Sequence, residues 1–170
     1  MAITARLRTI LVALAVLLAV AGAAATGAAA APPVADGTFT YTSSAFTNVR
    51  MVGPDTFIEL TATVAYTGTF SGTSTVRGNL IIHADGSANF YDIETFTGTV
   101  NGVSGIVTFY LAGSGPAGEY QATAIVVHGT GALANLRGEL HQVGVVPDKE
   151  KGPFGTYTGK IHTRGGGRDD

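Results

Sequence analysis

Two acidic residues that lie two positions apart are the first candidates for chemistry. Asp92 and Glu94 alternate with Tyr91 and Ile93, so in a strand both carboxylates point to one side, about 7 Å apart. If that side faces the interior, burial raises at least one pKa, as proton-transfer chemistry requires. If the Tyr91 side faces the interior, both acids are solvated. Because carboxylates are rarely buried, we expect the solvated arrangement.

Aromatic residues on the same and neighbouring predicted strands are candidates for a ligand pocket. Phe90 and Phe96 share a side with the two acids, and three tyrosines fall in other predicted strands. Aromatic side chains of this kind line apolar pockets, although filling the core is their commoner role. The predicted catalytic candidates are Glu94 and Asp92, and the predicted pocket comprises Tyr41, Tyr66, Phe90, Glu94, Phe96 and Tyr157.

Other familiar reactive arrangements are absent from the sequence. Cysteine does not occur, which excludes a metal site built on thiolates. The four histidines stand singly, without the spacing of metal ligands, so a three-histidine site formed across strands is the remaining alternative. Gly129-Thr130-Gly131 lacks the lysine and the following helix of a phosphate-binding loop. We expect neither a metal nor a cofactor.

The elements that must position these residues are strands. Residues 57–70 alternate most clearly, with Ile58 and Val64 on the apolar side and Glu59 on the polar side, so the apolar side should be buried. Asp85-Gly86 and Asn101-Gly102 are hairpin turn signals. Residues 48–55 are expected to be a loop or edge segment, and 132–136 one helical turn. About eight strands in this spacing predict an all-β, small closed antiparallel barrel.

The N-terminus has the order of a secretory signal. Arg6 and Arg8 precede an uncharged apolar run and a zone of small residues, a pattern that favours export and cleavage after Ala30 over a membrane anchor. We therefore expect a secreted protein without stable membrane insertion. The predicted organisation is a signal peptide at 1–30, a linker at 31–36, the barrel domain at 37–163 and a disordered tail at 164–170.

The charge balance bears on possible partners. The chain has 10 basic and 12 acidic residues. Removal of Arg6 and Arg8 with the signal leaves 8 basic residues against the same 12 acidic ones, a net charge of about −4. A mildly acidic surface repels phosphate backbones, so nucleic acid is not an expected partner. The sequence does not decide whether the protein forms a homo-oligomer.

Three Gly-rich segments, taken together with their order, are typical of one bacterial family. They are 96–105, 129–138 and 153–157, and Ala84-Asp85-Gly86 followed by Phe90 and Glu94 also fits. The chain resembles a bacterial family of unknown function with the allene oxide cyclase barrel-like fold. The resemblance implies a calycin-like closed barrel related in shape to plant allene oxide cyclase, and it does not imply that enzyme's chemistry.

Three functions are consistent with these features. We expect first a non-enzymatic barrel that binds a small apolar ligand or a partner, because small barrels can hold one ligand at a mouth. The second is an isomerase or cyclase that acts on a lipid-derived substrate, with Glu94 as the polar group in an apolar cavity. The third is a filled barrel that serves as a structural or interaction module.

Overall fold

The computed structural model describes residues 33–147 and 152–164. These residues form eight strands and one short 3-10 helix between the sixth and seventh strands, at Gly131–Leu133. The strands are β1 (Val34–Val52), β2 (Asp55–Gly68), β3 (Phe70–Ile82), β4 (Ala88–Val100), β5 (Val103–Gly115), β6 (Glu119–Gly129), β7 (Leu136–Val145) and β8 (Phe154–Thr163).

The eight strands pair in sequence order and the sheet closes on itself. Each strand is antiparallel to the next, and β1 pairs with both β2 and β8, which makes the sheet a closed barrel. The pairing of β1 with β8 covers residues 34–40, and the remainder of β1 pairs with β2 alone among the described residues. The all-β prediction of about eight antiparallel strands is therefore confirmed.

The turns fall where residues tolerate a left-handed backbone. Asn101 and Gly102 have φ values of 50° and 81° between β4 and β5, as their hairpin signal predicts. Gly68 ends β2 with φ at 93°, so Phe70 belongs to β3 and the predicted strand 57–70 is slightly too long. Within β2, Val64 is buried and Glu59 is exposed, which confirms the predicted burial of its apolar side.

β1 is longer than the sequence pattern indicates. It begins at Val34, inside the predicted linker 31–36, and it continues to Val52. Among the described residues, the end of β1 pairs with β2 alone and Gly53-Pro54 then turns the chain, which confirms the predicted edge segment over 48–55. Its pairing with β2 is irregular between Tyr41 and Ser43 and again between Thr47 and Arg50. Each irregularity shifts the alternation of sides, which hides a single continuous strand from a search for period two.

One end of the barrel is closed by the segment that joins β6 to β7. Leu133 and Leu136 are 3% and 4% exposed. Gly105 and Gly129 allow this segment to approach, because a side chain at either position would collide with Leu133. The predicted helical turn over 132–136 is found at Gly131–Leu133. The opposite end, where β4 and β6 begin, is called the mouth below.

An aromatic cluster fills the barrel next to the closed end. The ring of Phe70 lies 5.4 Å from those of Phe96 and Phe109, measured between centroids. The Tyr157 hydroxyl accepts a hydrogen bond from the Phe70 N–H at 2.8 Å and donates one to the Thr67 carbonyl at 2.9 Å. Tyr157 therefore ties β8 to the turn between β2 and β3.

Several expectations fall on other parts of the chain. The predicted signal peptide with its cleavage point, and the predicted tail from residue 165 onward, lie outside the described residues. Within the described residues there is no helix whose length and apolar character would suit it to crossing a bilayer.

The Tyr157 hydroxyl should contribute to stability. We expect Tyr157→Phe to lower the free energy of unfolding by about 1–3 kcal/mol, because the buried Phe70 N–H loses its acceptor. Urea unfolding should be compared with that of Tyr110→Phe, which removes a hydroxyl from a ring that is 45% exposed. Equal stability of the two variants would contradict the role of this hydroxyl.

Candidate functional site

The structure places both acidic candidates inside the barrel. Asp92 and Glu94 are each 1% exposed, whereas Tyr91 and Ile93 are 48% and 57% exposed. The expectation that both acids are solvated is wrong. The reason is the parity of β4: Phe96 shares their side and is fully buried, so the side that buries Phe96 also buries the acids.

Glu94 ends a chain of hydrogen bonds that crosses the interior. The Tyr120 hydroxyl donates to Gln142 Oε1 at 2.9 Å, and Gln142 Nε2 donates to the Tyr66 hydroxyl at 2.9 Å. The Tyr66 hydroxyl then donates to Glu94 Oε2 at 3.2 Å. Every donor in this chain points toward the carboxylate, so the arrangement suits an acceptor at Glu94.

Sequence reasoning missed two members of this chain. Tyr120 and Gln142 come from β6 and β7, and both are buried. The signal was available in the alternation of each strand, since Gln142 is in step with Leu140 and Tyr120 is in step with Ala122. Which polar residues meet one another depends on the pairing around the ring, which the alternation of one strand does not give.

Two other interior residues set the environment of Glu94. Burial raises the pKa of Glu94 to about 7, the nearby Ser74 and Tyr66 hydroxyls oppose the rise, and the Asp92 charge adds to it. The Tyr66 hydroxyl bonds to Glu94 Oε2, whereas Ser74 Oγ lies near the carboxyl group and has no hydrogen-bond partner of its own within the described residues. The second carboxylate oxygen, Oε1, also has no partner among the described residues.

Asp92 lacks the support that Glu94 receives. Neither of its carboxylate oxygens has a hydrogen-bond partner among the described residues. Burial raises the pKa of Asp92 to about 7. Its register partner on β3 is Gly78, and a side chain at that position would collide with the carboxylate. Gly78 thus provides the space that the Asp92 carboxyl group occupies.

Asp92 lines an open pocket at the mouth of the barrel. The pocket has a volume of about 430 Å³. On β4 its lining runs inward from Ala88 through Phe90 to Asp92, so Asp92 is the deepest residue that this strand contributes. The other walls are mainly apolar, and they include Tyr41, Ile58, Leu60, Leu80 and Tyr120.

Three aromatic rings, those of Tyr41, Phe90 and Tyr120, line the pocket on the mouth side of Asp92 and are called the aromatic wall below. The rings of Phe90 and Tyr120 stack with centroids 4.9 Å apart, and the Tyr41 ring lies 6.3 Å from that of Tyr120. Phe90 occupies the space left by Gly113, where any side chain would collide with the Phe90 ring. Glycine on β5 therefore fixes the position of one face of the pocket.

The predicted site residues divide between the pocket and the packed core. Tyr41, Phe90 and Asp92 line the pocket, whereas Tyr66, Glu94 and Phe96 are not among its lining residues. Tyr66 and Glu94 form the interior hydrogen-bond chain. Tyr157 bonds to the turn near the closed end.

A second depression adjoins the mouth pocket and shares Val49, Ile58 and Leu80 with its lining. It has a volume of about 530 Å³ and lies beside the irregular end of β1, and its lining includes Glu59 and Tyr91 from the outer side of the sheet but none of the predicted site residues.

Within 33–147 and 152–164, no three histidine and acidic side chains are grouped as a metal site would require. His141 instead contacts the exposed carboxylate of Glu139 at 3.0 Å.

Comparison with known proteins places the chain in a family. Residues 35–144 match the profile of a family described as "Protein of unknown function (DUF3224)". The chain belongs to the DUF3224 family. A crystal structure of a DUF3224 protein of unknown function from Shewanella oneidensis MR-1 is similar, with a TM-score of 0.63 and 20% identity over 79% of this chain and 99% of that one. This likeness shows the fold alone. No curated protein matches the chain.

The unsupported Asp92 carboxyl group should make the stability of this DUF3224 protein depend on pH. Its pKa is about 7 in the folded state against an ordinary value of 3.8, so between pH 4 and pH 7 the folded state holds a proton that the unfolded state has lost. The stabilisation is complete near pH 4 and is lost as the pH rises to about 7.

Asp92→Asn should remove the part of the pH dependence of stability that comes from this carboxyl group. We expect the variant to match the wild type near pH 4 and to exceed its free energy of unfolding by roughly 2–4 kcal/mol at pH 8. Urea unfolding at several pH values measures the difference, with Glu94→Gln as the second variant. A difference between Asp92→Asn and wild type that stays constant from pH 4 to pH 8 would refute the argument.

Proposed function

We propose that this protein binds a small, mainly apolar molecule in the pocket at the mouth of the barrel. The observation that carries the proposal is the open pocket of about 430 Å³ with mainly apolar walls and one buried carboxyl group. Ligand sites typically have volumes of about 300–1,000 Å³ and combine apolar walls with a few polar groups.

The contrast between the two ends of the barrel supports this function. The closed end is filled by Leu133, Leu136 and the phenylalanine cluster. Toward the mouth, the inward positions of β3 and β5 include Gly78 and Gly113, which leave room beside Asp92 and Phe90. An interior that is filled at one end and open at the other argues against a completely packed barrel that serves only as an interaction module.

The rim of the pocket is also apolar. Phe46 and Val49 of β1 line the opening and are 48% and 59% exposed. Large apolar side chains that border a cavity favour contact with an apolar molecule, because that contact removes their surface from water.

Proton-transfer catalysis is the second candidate, and one observation favours it. Asp92 lines the pocket, its buried carboxyl oxygens have no hydrogen-bond partner within the described residues, and its pKa of about 7 would suit a general acid or base. An isomerase or cyclase of this kind would use Asp92 in place of Glu94, which the sequence suggested as the polar group of the cavity. Glu94 would then support the site from below through its bond to Tyr66.

The proposal also covers where the protein acts and which fold it is related to. The signal pattern at residues 1–30 supports export, so the ligand would be met outside the cytoplasmic membrane. The resemblance to the allene oxide cyclase barrel remains a prediction about fold relationship. Mass spectrometry of the protein from the culture medium of an expressing bacterium should find a chain that begins at residue 31, and a full-length chain retained in the cells would contradict export.

Binding can be tested with the neutral fluorescent probe N-phenyl-1-naphthylamine. We expect saturable binding by wild type and a loss of affinity of at least roughly tenfold in Ala88→Trp, because Ala88 lines the pocket. Ala112→Trp is the matched control, since Ala112 lies on the exposed side of β5.

The two tryptophan variants separate the pocket from other binding surfaces. Circular dichroism establishes that both variants are folded. Absence of saturable probe binding by wild type, or the same loss in Ala112→Trp as in Ala88→Trp, would exclude the mouth pocket as the binding site.

A further inference from the structure

The Asp92 carboxyl group lacks the partner that buried carboxyl groups normally have. It is 1% exposed, it lines the pocket, and neither oxygen accepts a hydrogen bond within the described residues. Buried polar groups in proteins are almost always hydrogen-bonded, and exceptions call for an explanation. A molecule that enters the pocket would supply the missing donor, because Asp92 is the deepest pocket residue of β4.

The charges around the pocket determine whether it favours a positively or a negatively charged ligand. Asp92 and Glu119 are the ionisable acids of its lining, and within residues 33–147 and 152–164 no Lys, Arg or His lines it. Glu94 lies one inward position deeper than Asp92 on β4 and is equally buried. Together these carboxylates oppose the entry of an anion and favour a cation.

The aromatic wall favours the same kind of group. Tyr41, Phe90 and Tyr120 line the pocket above Asp92, and Phe90 and Tyr120 are stacked with centroids 4.9 Å apart. Aromatic faces attract ammonium groups, and the attraction is stronger where the cation is removed from water. A carboxylate beneath aromatic rings is thus suited to an ammonium group that sits between them.

We propose that the ligand is a small lipophilic amine whose ammonium group binds Asp92 beneath the rings of Tyr41, Phe90 and Tyr120. The inference rests on the proposed function and adds the chemical class of the ligand. The ammonium group donates hydrogen bonds to the two free oxygens of Asp92, and the alkyl or aryl remainder of the ligand contacts the apolar walls near Leu60 and Leu80.

Binding of such an amine should strengthen as the pH rises from 5 to 8. Tyr41 from β1 interacts electrostatically with Asp92, and Tyr120 from β6 and Glu119 line the same pocket. Glu94 lies on the same strand as Asp92, and the register neighbours of Asp92 on β3 and β5, Gly78 and Leu111, are not ionisable. Alkylamines stay protonated over this interval, as lysine does. The change therefore reports deprotonation of the buried carboxyl groups.

Isothermal titration with three matched probes tests the ligand class directly. Octylamine, 1-octanol and octanoate have the same chain and differ in the head group. At pH 8 we expect octylamine to bind wild type roughly tenfold to a hundredfold more tightly than 1-octanol, and octanoate to bind most weakly. Asp92→Asn should bring the affinities for octylamine and 1-octanol to within about threefold of each other.

The outcomes distinguish this inference from the proposed function. If 1-octanol binds wild type as tightly as octylamine, or Asp92→Asn keeps the preference for the amine, the cationic head group is wrong and the apolar pocket stands. If neither octylamine nor 1-octanol binds saturably, both proposals fail. An amine affinity that does not rise between pH 5 and pH 8 also overturns the role of Asp92.

Discussion

The pairing of β1 with β8 is the constraint on which the rest of this structure depends. It closes the sheet, and closure gives the inward side chains of all eight strands one shared and limited volume. Whatever points inward must either fill that volume, find a polar partner within it or leave part of it open. The three solutions occupy successive levels of the barrel: packed aromatic rings, the hydrogen-bond chain to Glu94, and the mouth pocket.

The two buried acids show how differently the interior treats similar groups. Glu94 receives the Tyr66 hydroxyl at 3.2 Å, and Gln142 and Tyr120 orient that hydroxyl from behind. Asp92 receives no such donor from the part of the chain that the structure describes. Burial of a carboxyl group without a partner lowers stability. An unpartnered carboxyl group beside the open pocket is the feature on which the proposed binding of a ligand there depends.

Local patterns in the sequence predict the scaffold better than the site. Alternation along β2 and the Asn101-Gly102 turn determine their structures through neighbouring residues alone, and both predictions are confirmed. The irregular pairing of β1 escaped prediction because a bulge reverses the alternation. Pairing between strands far apart in sequence determines the inward position of Asp92 and the contact of Gln142 with Tyr66. The alternation of residues along one strand does not reveal that pairing.

The seam between the first and last strands has one more consequence. β1 starts at Val34 and β8 finishes at Thr163, and both points lie at the end that Leu133 and Leu136 plug. The polypeptide thus enters and leaves the domain from its base. Any fused leader, tether or carrier attached at either point would be joined opposite the opening, so this architecture allows the domain to be displayed on another molecule with its entrance facing away from the attachment.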